Sequence, residues 1–181
     1  ADGDNVVEYD SGTVYHRGQT NISAALDVMR DSFPAPSEIV VSGSSAGGYG
    51  TFTGYGVMRV AYPDTTIRVL NDSGPGLQNN DDPQAIAERG ENWRFEQFIV
   101  EDCTRCGEQV AYLIDWALDN DPDTRFALFS YQRDFVISDF LMIERTEYRD
   151  LLLDVSGEIA ARNPDRFKRF LRDGESHTIL L

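Results

Sequence analysis

The feature that most constrains the fold is a glycine-flanked serine turn at residues 43–47, with the sequence G-S-S-A-G. It follows a short apolar run at residues 38–42, which predicts a buried strand, and it precedes a predicted helix at about residues 46–61. A strand, a sharp turn and a helix in this order are the context that the G-x-S-x-G pattern requires. We therefore expect a strand-turn-helix unit with Ser45 at its apex.

The chemistry of a serine nucleophile accounts for this spacing. The hydroxyl must project from a turn that strains its own backbone, and we expect Gly43 and Gly47 to remove side chains that would collide there. The following helix would offer the Ala46 N–H and its dipole to a developing oxyanion. The pattern predicts Ser45 as a nucleophile and Ala46 as an oxyanion-hole donor, with Ser44 as the rival hydroxyl.

A serine nucleophile needs a base, and the chain contains two histidines, His16 and His177. In α/β-hydrolases the chain order is serine, acid, histidine, which selects His177 and leaves His16 as a structural residue. The orienting carboxylate should follow a late strand, and Asp134 lies just beyond the predicted strand at residues 125–131. Asp139 is the runner-up, although it falls inside the helix predicted next.

Strands and helices alternate along the chain. We predict strands at residues 38–42, 66–71, 125–131 and 167–171, and helices that include residues 109–118 and 137–163. This alternation predicts an α/β fold, an α/β-hydrolase-type mostly parallel sheet with helices on both faces. Four strands are few for such a sheet, so we expect its N-terminal strands to be missing from this chain. Residues 1–181 would then form a single domain that is the central and C-terminal part of a longer catalytic domain.

The charge of the chain excludes several functions. The formal net charge is −15, and no cluster of Lys and Arg forms the basic patch that nucleic acid requires. The same sign disfavours anionic membrane surfaces. No window approaches 18 consecutive apolar residues, so membrane insertion is not expected either. No oligomeric state is predicted.

The two cysteines, Cys103 and Cys106, are spaced C-x-x-C. A zinc site needs four ligands, and neither histidine lies beside this pair. The favoured interpretation is a local disulfide in an exported protein, and the alternative is a bond to a cysteine outside this chain. Asp119, Asp121 and Asp123 have a calcium-loop spacing, but the Gly and Glu of such loops are absent. We predict neither a metal nor another cofactor.

Substrate-contacting residues are predicted near the ends of the early strands. Asp72, Ser73 and Gly74 end the strand that follows the nucleophile helix, and we expect them to shape the floor of a pocket. Aromatic residues are core by default. Trp93 and Phe95 follow a Gly-rich loop, however, and are the candidates for lining a substrate cleft.

Taken in order, these motifs resemble those of the pectin acetylesterase and Notum-like carboxylesterases. The matching residues are His16-Arg17-Gly18 with Asn21, residues 41–48 (VSGSSAGG), residues 70–74 (LNDSG), the two cysteines, residues 131–134 and residues 174–177. The resemblance implies an exported α/β-hydrolase with Ser45, Asp134 and His177 as its triad. In the family, a Gly-rich oxyanion loop and the first strands precede the matched part. No such element lies before His16, so we expect a fragment that lacks the N-terminal third.

The resemblance also implies the reaction and its substrates. We expect a serine carboxylesterase, secreted or extracytoplasmic, that removes short acyl groups such as acetyl from an acylated carbohydrate or another ester. The alternatives are a lipase-like enzyme or a protein deacylase on the same scaffold. An alternative from another class is a non-catalytic, hydrolase-like carbohydrate-binding protein.

Overall fold

The computed structural model of the chain describes residues 4–94 and 99–180. In chain order its elements are β1 (Asp4–Tyr9), β2 (Gly12–Arg17), α1 (Gly18–Ser32), β3 (Glu38–Ser44), α2 (Ala46–Ala61), β4 (Thr66–Asp72), α3 (Pro83–Trp93), α4 (Tyr112–Asn120), β5 (Arg125–Tyr131), α5 (Phe135–Leu141), α6 (Arg145–Arg162) and β6 (Phe167–Arg172).

A four-stranded parallel sheet in the order β3-β4-β5-β6 forms the centre of the fold. Its register aligns Val41, Val69, Phe126 and Phe167 in one row across the sheet. Side chains of this face supply much of the core, because aligned residues of parallel strands point to the same side. The predicted α/β class is confirmed, with four parallel strands flanked by helices. That residues 1–181 form one domain stays a prediction.

Helices α2 and α6 pack on this apolar face. Tyr55 of α2 makes an edge contact with the Phe126 ring, with the ring centroids 5.3 Å apart. Arg169 of β6 donates from Nη1 to the Leu153 carbonyl at 3.0 Å and to Ser156 Oγ at 2.8 Å, both in α6. Only one stripe of α6 meets the sheet, so its buried residues recur at helical spacing: Tyr148, Leu152, Val155, Ser156 and Ile159.

The opposite face of the sheet is more exposed at its edge strands. Val40 on β3 is 61% exposed and Phe170 on β6 is 55% exposed. Between these edges, Leu70 and Phe129 are partly buried. Among the described residues, β3 forms one edge of this sheet. The apolar core therefore lies on the side of the sheet that α2 and α6 cover.

Several elements differ from the sequence-based prediction. An antiparallel hairpin of β1 and β2 was not predicted, although Asp10-Ser11-Gly12 between alternating apolar residues is a turn signal, and Gly12 adopts a φ of 122° there. Helix α3 was also missed. The single helix predicted at residues 137–163 is wrong, because Met142 takes a left-handed φ of 56° and separates α5 from α6.

Cys103 and Cys106, three positions apart in the chain, form a disulfide with each other, as the local interpretation predicts.

The aspartates at positions 119, 121 and 123 lie in a region where Asp121 has a structural role. Its carboxylate accepts a hydrogen bond from the Tyr55 hydroxyl at 2.9 Å. Within residues 4–94 and 99–180, no cluster of His, Cys, Asp or Glu is arranged to hold a metal ion. None of the helices in these two ranges has the length and apolar character needed to cross a membrane.

Candidate active site

Ser45 occupies the sharp turn between β3 and α2. Its backbone has φ 58° and ψ −122°, a strained conformation for a residue with a side chain. The turn is held from two sides: the Ser45 N–H donates to the Asp72 carbonyl at 2.8 Å, and the Tyr49 N–H donates to the Ser45 carbonyl at 3.2 Å. The serine hydroxyl makes no capping hydrogen bond to α2. Strain at a supported turn with a free hydroxyl is typical of functional sites.

The glycines around this turn have different roles. A side chain at Gly43 would collide with the Gly47 carbonyl, so the first glycine of the motif is sterically required. The expectation that Gly47 avoids a similar collision is wrong, because a Cβ there would meet nothing within 4 Å. The second close approach instead joins Gly48 to Gly74, where a Cβ on either residue would collide with the other's backbone. Gly74 therefore lets the chain after β4 pack against the first turn of α2.

Asn71 holds this close approach in place and was not singled out from the sequence. Its side-chain amide donates to the Gly48 and Gly74 carbonyls at 2.8 Å each, and its Oδ1 accepts from the Gly74 N–H at 3.0 Å. The residue is 2% exposed. The available signal was a polar amide in register with the apolar residues Ile67 and Val69 of the same strand, because a buried amide must find hydrogen-bond partners.

Asp134 and His177 meet at the carboxyl ends of β5 and β6. Two backbone hydrogen bonds join their loops: Arg133 N–H donates to the Gly174 carbonyl at 3.0 Å, and Phe135 N–H donates to the Glu175 carbonyl at 3.1 Å. His177 Nδ1 then lies 2.8 Å from Asp134 Oδ2 and 3.0 Å from Oδ1. The structure therefore brings together two predicted site residues that are 43 positions apart.

The Asp134 carboxylate is fixed by backbone donors as well as by its contact with the imidazole. The residue is fully buried and caps the N-terminus of α5, where Oδ1 accepts from the Val136 and Ile137 N–H groups at 3.0 and 3.1 Å. On the other side of the ring, His177 Nε2 is buried and has no hydrogen-bond partner. An imidazole fixed through one nitrogen with its second nitrogen free is equipped to move a proton.

Asp72 and Ser73 connect the serine turn to the histidine loop. The Asp72 carbonyl holds the Ser45 N–H, and Ser73 Oγ accepts from the Thr178 N–H at 3.1 Å. The segment after His177 is therefore tied to the end of β4, the strand beside the serine turn. Residues 72–74, predicted to shape the pocket floor, are not among the residues that line the cavity beside Ser45.

A cavity of about 350 Å³ opens beside Ser45 and Ala46. Ala46 is the first residue of α2, so its N–H has no acceptor within the helix. Trp93 lines the cavity and stacks on Phe140, with ring centroids 5.9 Å apart, and its contact with a substrate stays a prediction. Phe95, the other predicted lining residue, lies outside the described residues. The remaining walls are mainly apolar and include Phe52, Leu77, Val110, Leu113, Ile137 and Leu141.

Arg89 and Tyr49 are two of the polar side chains at the cavity that were not predicted from the sequence. Arg89 places its guanidinium 5.3 Å from the centroid of the Phe140 ring and brings a positive charge to the wall. Tyr49 donates its hydroxyl to the Leu77 carbonyl at 3.3 Å, and burial raises the pKa of its phenol well above the usual range. Tyr49 is therefore a neutral wall residue. The sequence signal that could have identified Tyr49 is its spacing, because a residue four positions after Ser45 lies on the same side of α2.

A parallel sheet with a strained serine turn after one strand defines this protein as α/β-hydrolase-type. The pectinacetylesterase family model matches residues 2–100, more than half of the 181 residues, and the chain belongs to this family. The resemblance inferred from the sequence is thereby confirmed. The family is one of esterases that hydrolyse acetyl esters. No individual curated protein matches the chain with significance.

Proposed function

We propose that this chain is a serine carboxylesterase that removes short acyl groups, above all acetyl, from an esterified carbohydrate. The observation that carries the proposal is the 2.8 Å contact between Asp134 Oδ2 and His177 Nδ1, made at the carboxyl edge of the parallel sheet, the edge at which Ser45 also lies. Family membership supports the acetyl ester as substrate. The matched segment contains Ser45 but ends before Asp134 and His177, so the roles of those two residues rest on geometry.

The first half of the proposed reaction forms an acyl-enzyme. Ser45 Oγ attacks the ester carbonyl carbon while His177 Nε2 accepts the hydroxyl proton. Asp134 favours the tautomer with its proton on Nδ1, which leaves the Nε2 lone pair available. The Ala46 N–H and the dipole of α2 stabilise the oxyanion. The C–O bond to the alcohol then breaks, and the proton on Nε2 passes to the departing oxygen.

The second half returns the enzyme to its starting state. A water molecule gives a proton to His177 Nε2 and attacks the acyl carbonyl carbon. The bond from Ser45 Oγ to the acyl carbon breaks, and Oγ recovers its proton from His177. The products are the free acid and the deacylated alcohol, so the reaction needs neither a metal nor a redox cofactor in its balance.

The proposed location is outside the cytoplasm, as a secreted or extracytoplasmic enzyme. The disulfide between Cys103 and Cys106 supports this, because disulfides persist mainly in oxidising compartments.

The proposed partner is the ester substrate itself. The aromatic stack of the partly buried Trp93 and the exposed Phe140 at the cavity supports contact with a sugar ring, whose apolar face packs well on aromatic side chains.

Covalent labelling tests the nucleophile. A fluorophosphonate probe is expected to attach once per chain at Ser45, because Oγ displaces fluoride from phosphorus with His177 as base. Peptide mapping by mass spectrometry locates the adduct. Heat-denatured protein and the Ser45→Ala variant are the controls and should remain unlabelled. A folded protein that takes up no probe would favour the carbohydrate-binding alternative over an enzyme.

A longer acyl chain is the second candidate substrate, because the cavity beside Ser45 is largely apolar and larger than a two-carbon acetyl group requires. For the proposed acetyl esterase, we expect kcat/KM for p-nitrophenyl esters to be highest for the C2 ester and to fall towards C16. The series is measured at low and high salt, with Ser45→Ala as the background. A maximum at long chains would instead assign the enzyme to lipid or protein deacylation.

A further inference from the structure

We propose that Asp72 is a positioning residue that fixes the serine turn and the histidine loop relative to each other. The inference rests on the proposed function, and it replaces the expectation that residues 72–74 contact the substrate. Asp72 ends β4 and is 1% exposed, with neighbours from both segments of the candidate active site. Its carboxylate makes no hydrogen bond to the imidazole of His177, which pairs with Asp134.

The Asp72 carboxylate binds the chain immediately after His177. Oδ1 accepts from the Ile179 N–H at 2.9 Å, and Oδ2 accepts from the Leu180 N–H at 3.0 Å. The hydroxyls of Ser73 and Ser44 complete its set of donors at 3.3 and 3.1 Å. A buried carboxylate is costly unless donors surround it, and four donors do so here.

Ser73 binds Thr178, the residue that directly follows the proposed base His177. Its hydroxyl accepts from the Thr178 N–H at 3.1 Å while donating to Asp72. Both Ser73 and Thr178 have a φ of 59°, a region that residues with side chains seldom occupy. Three consecutive N–H groups after His177 therefore bind to two residues at the end of β4.

The same residue also holds the serine turn. The Asp72 carbonyl accepts from the Ser45 N–H at 2.8 Å, and the register of β3 and β4 pairs Ser44 with Asp72. Asp72 thus binds the serine turn through its backbone and the segment after His177 through its side chain. A shift at Asp72 would change the separation between Ser45 Oγ and His177 Nε2, the two atoms that exchange a proton in the proposed reaction.

Replacing Asp72 by asparagine tests the proposal with little change in volume. The new NH2 group would face an N–H or hydroxyl donor, so part of residues 178–180 should be released. We expect kcat for p-nitrophenyl acetate to fall about 100-fold, the order of loss that a 1 Å misplacement causes, with KM nearly unchanged. Hydrogen exchange of the amides at 178–180 should become faster in the same variant.

Two further variants make this result specific. Asp115→Asn is the matched control, because Asp115 of α4 is 5% exposed and lies outside the candidate active site. Its carboxylate accepts from Asn163 Nδ2 at 2.8 Å and pairs with Arg162 Nε at 3.1 Å. Asp115→Asn should leave kcat and the exchange at 178–180 as in the wild type. Ser73→Ala removes the acceptor for the Thr178 N–H and one of the four donors to Asp72. It should lower kcat and speed exchange at Thr178 even if Asp72→Asn does not fold.

The outcomes separate this inference from the proposed function. A kcat equal to that of the wild type in folded Asp72→Asn would overturn the inference. If Asp72→Asn does not fold, a wild-type kcat in Ser73→Ala would overturn it. A raised KM with unchanged kcat would overturn it too, in favour of substrate contact by residues 72–74. Loss of kcat with faster exchange at 178–180 supports it. If Ser45→Ala retains full turnover, the proposed function itself fails, whatever Asp72→Asn shows.

Discussion

Replacing Ser45 by alanine should lower kcat for p-nitrophenyl acetate by about a millionfold, the scale of loss when a nucleophile is removed from a triad of this kind. Without Oγ no acyl-enzyme can form, and only binding and the oxyanion donor remain. The fold should persist, because the Ser45 hydroxyl caps no backbone group of α2 and the turn is held by backbone hydrogen bonds. Ester hydrolysis and a thermal melt measure both effects.

The neighbouring serines provide the controls. Ser42→Ala changes an exposed hydroxyl on β3 and should leave turnover as in the wild type. Ser44→Ala removes a donor to Asp72 Oδ2 and should cost far less than Ser45→Ala. Loss of activity on changing Ser44, with activity retained on changing Ser45, would reassign the nucleophile to the rival hydroxyl.

Replacing Asp134 by asparagine should lower kcat by about 10⁴-fold, as when the orienting carboxylate of a serine triad is replaced by an amide. Oδ1 of the new side chain can still accept from the Val136 and Ile137 N–H groups, so α5 keeps its cap. Its NH2 group would then face His177 Nδ1 and favour the tautomer protonated at Nε2. That tautomer cannot accept the proton of Ser45.

Asp139→Asn is the matched control for this variant, because Asp139 is an exposed carboxylate on the same short helix and was the runner-up in the sequence. Its kcat should equal that of the wild type. A large loss in Asp139→Asn together with an active Asp134→Asn enzyme would contradict the assignment of the acid. The kcat values of both variants are compared at the same pH as the wild type.

Residues in one short stretch of sequence made the serine turn predictable. The apolar run before Gly43 and the helical segment after Ala46 are local signals, and the observed α2 has the bounds that the sequence indicated. Asp134 followed from its place after a predicted strand, and His177 followed from the order serine, acid, histidine. The contact between them at 2.8 Å required the structure, because it depends on two loops joined across β5 and β6.

The missed elements differ in cause. The hairpin of β1 and β2 and helix α3 do carry local signals, the turn at residues 10–12 and the Asp82 cap followed by Pro83, and they are joined by long-range bonds from the Asn5 amide to the Glu91 and Asn92 carbonyls. The break between α5 and α6 depends on one left-handed residue, Met142, which carries no sequence signal for that conformation.

The strand-turn-helix order and the family follow from the sequence alone, and so do the candidates for nucleophile, base and acid, because each rests on local pattern or on chain order. The role proposed for Asp72 comes only from the tertiary structure. Its carboxylate meets Ile179 and Leu180, which are 107 and 108 residues away along the chain. No local pattern reports such a pairing, since a buried carboxylate is satisfied by whatever donors the folded chain brings to it.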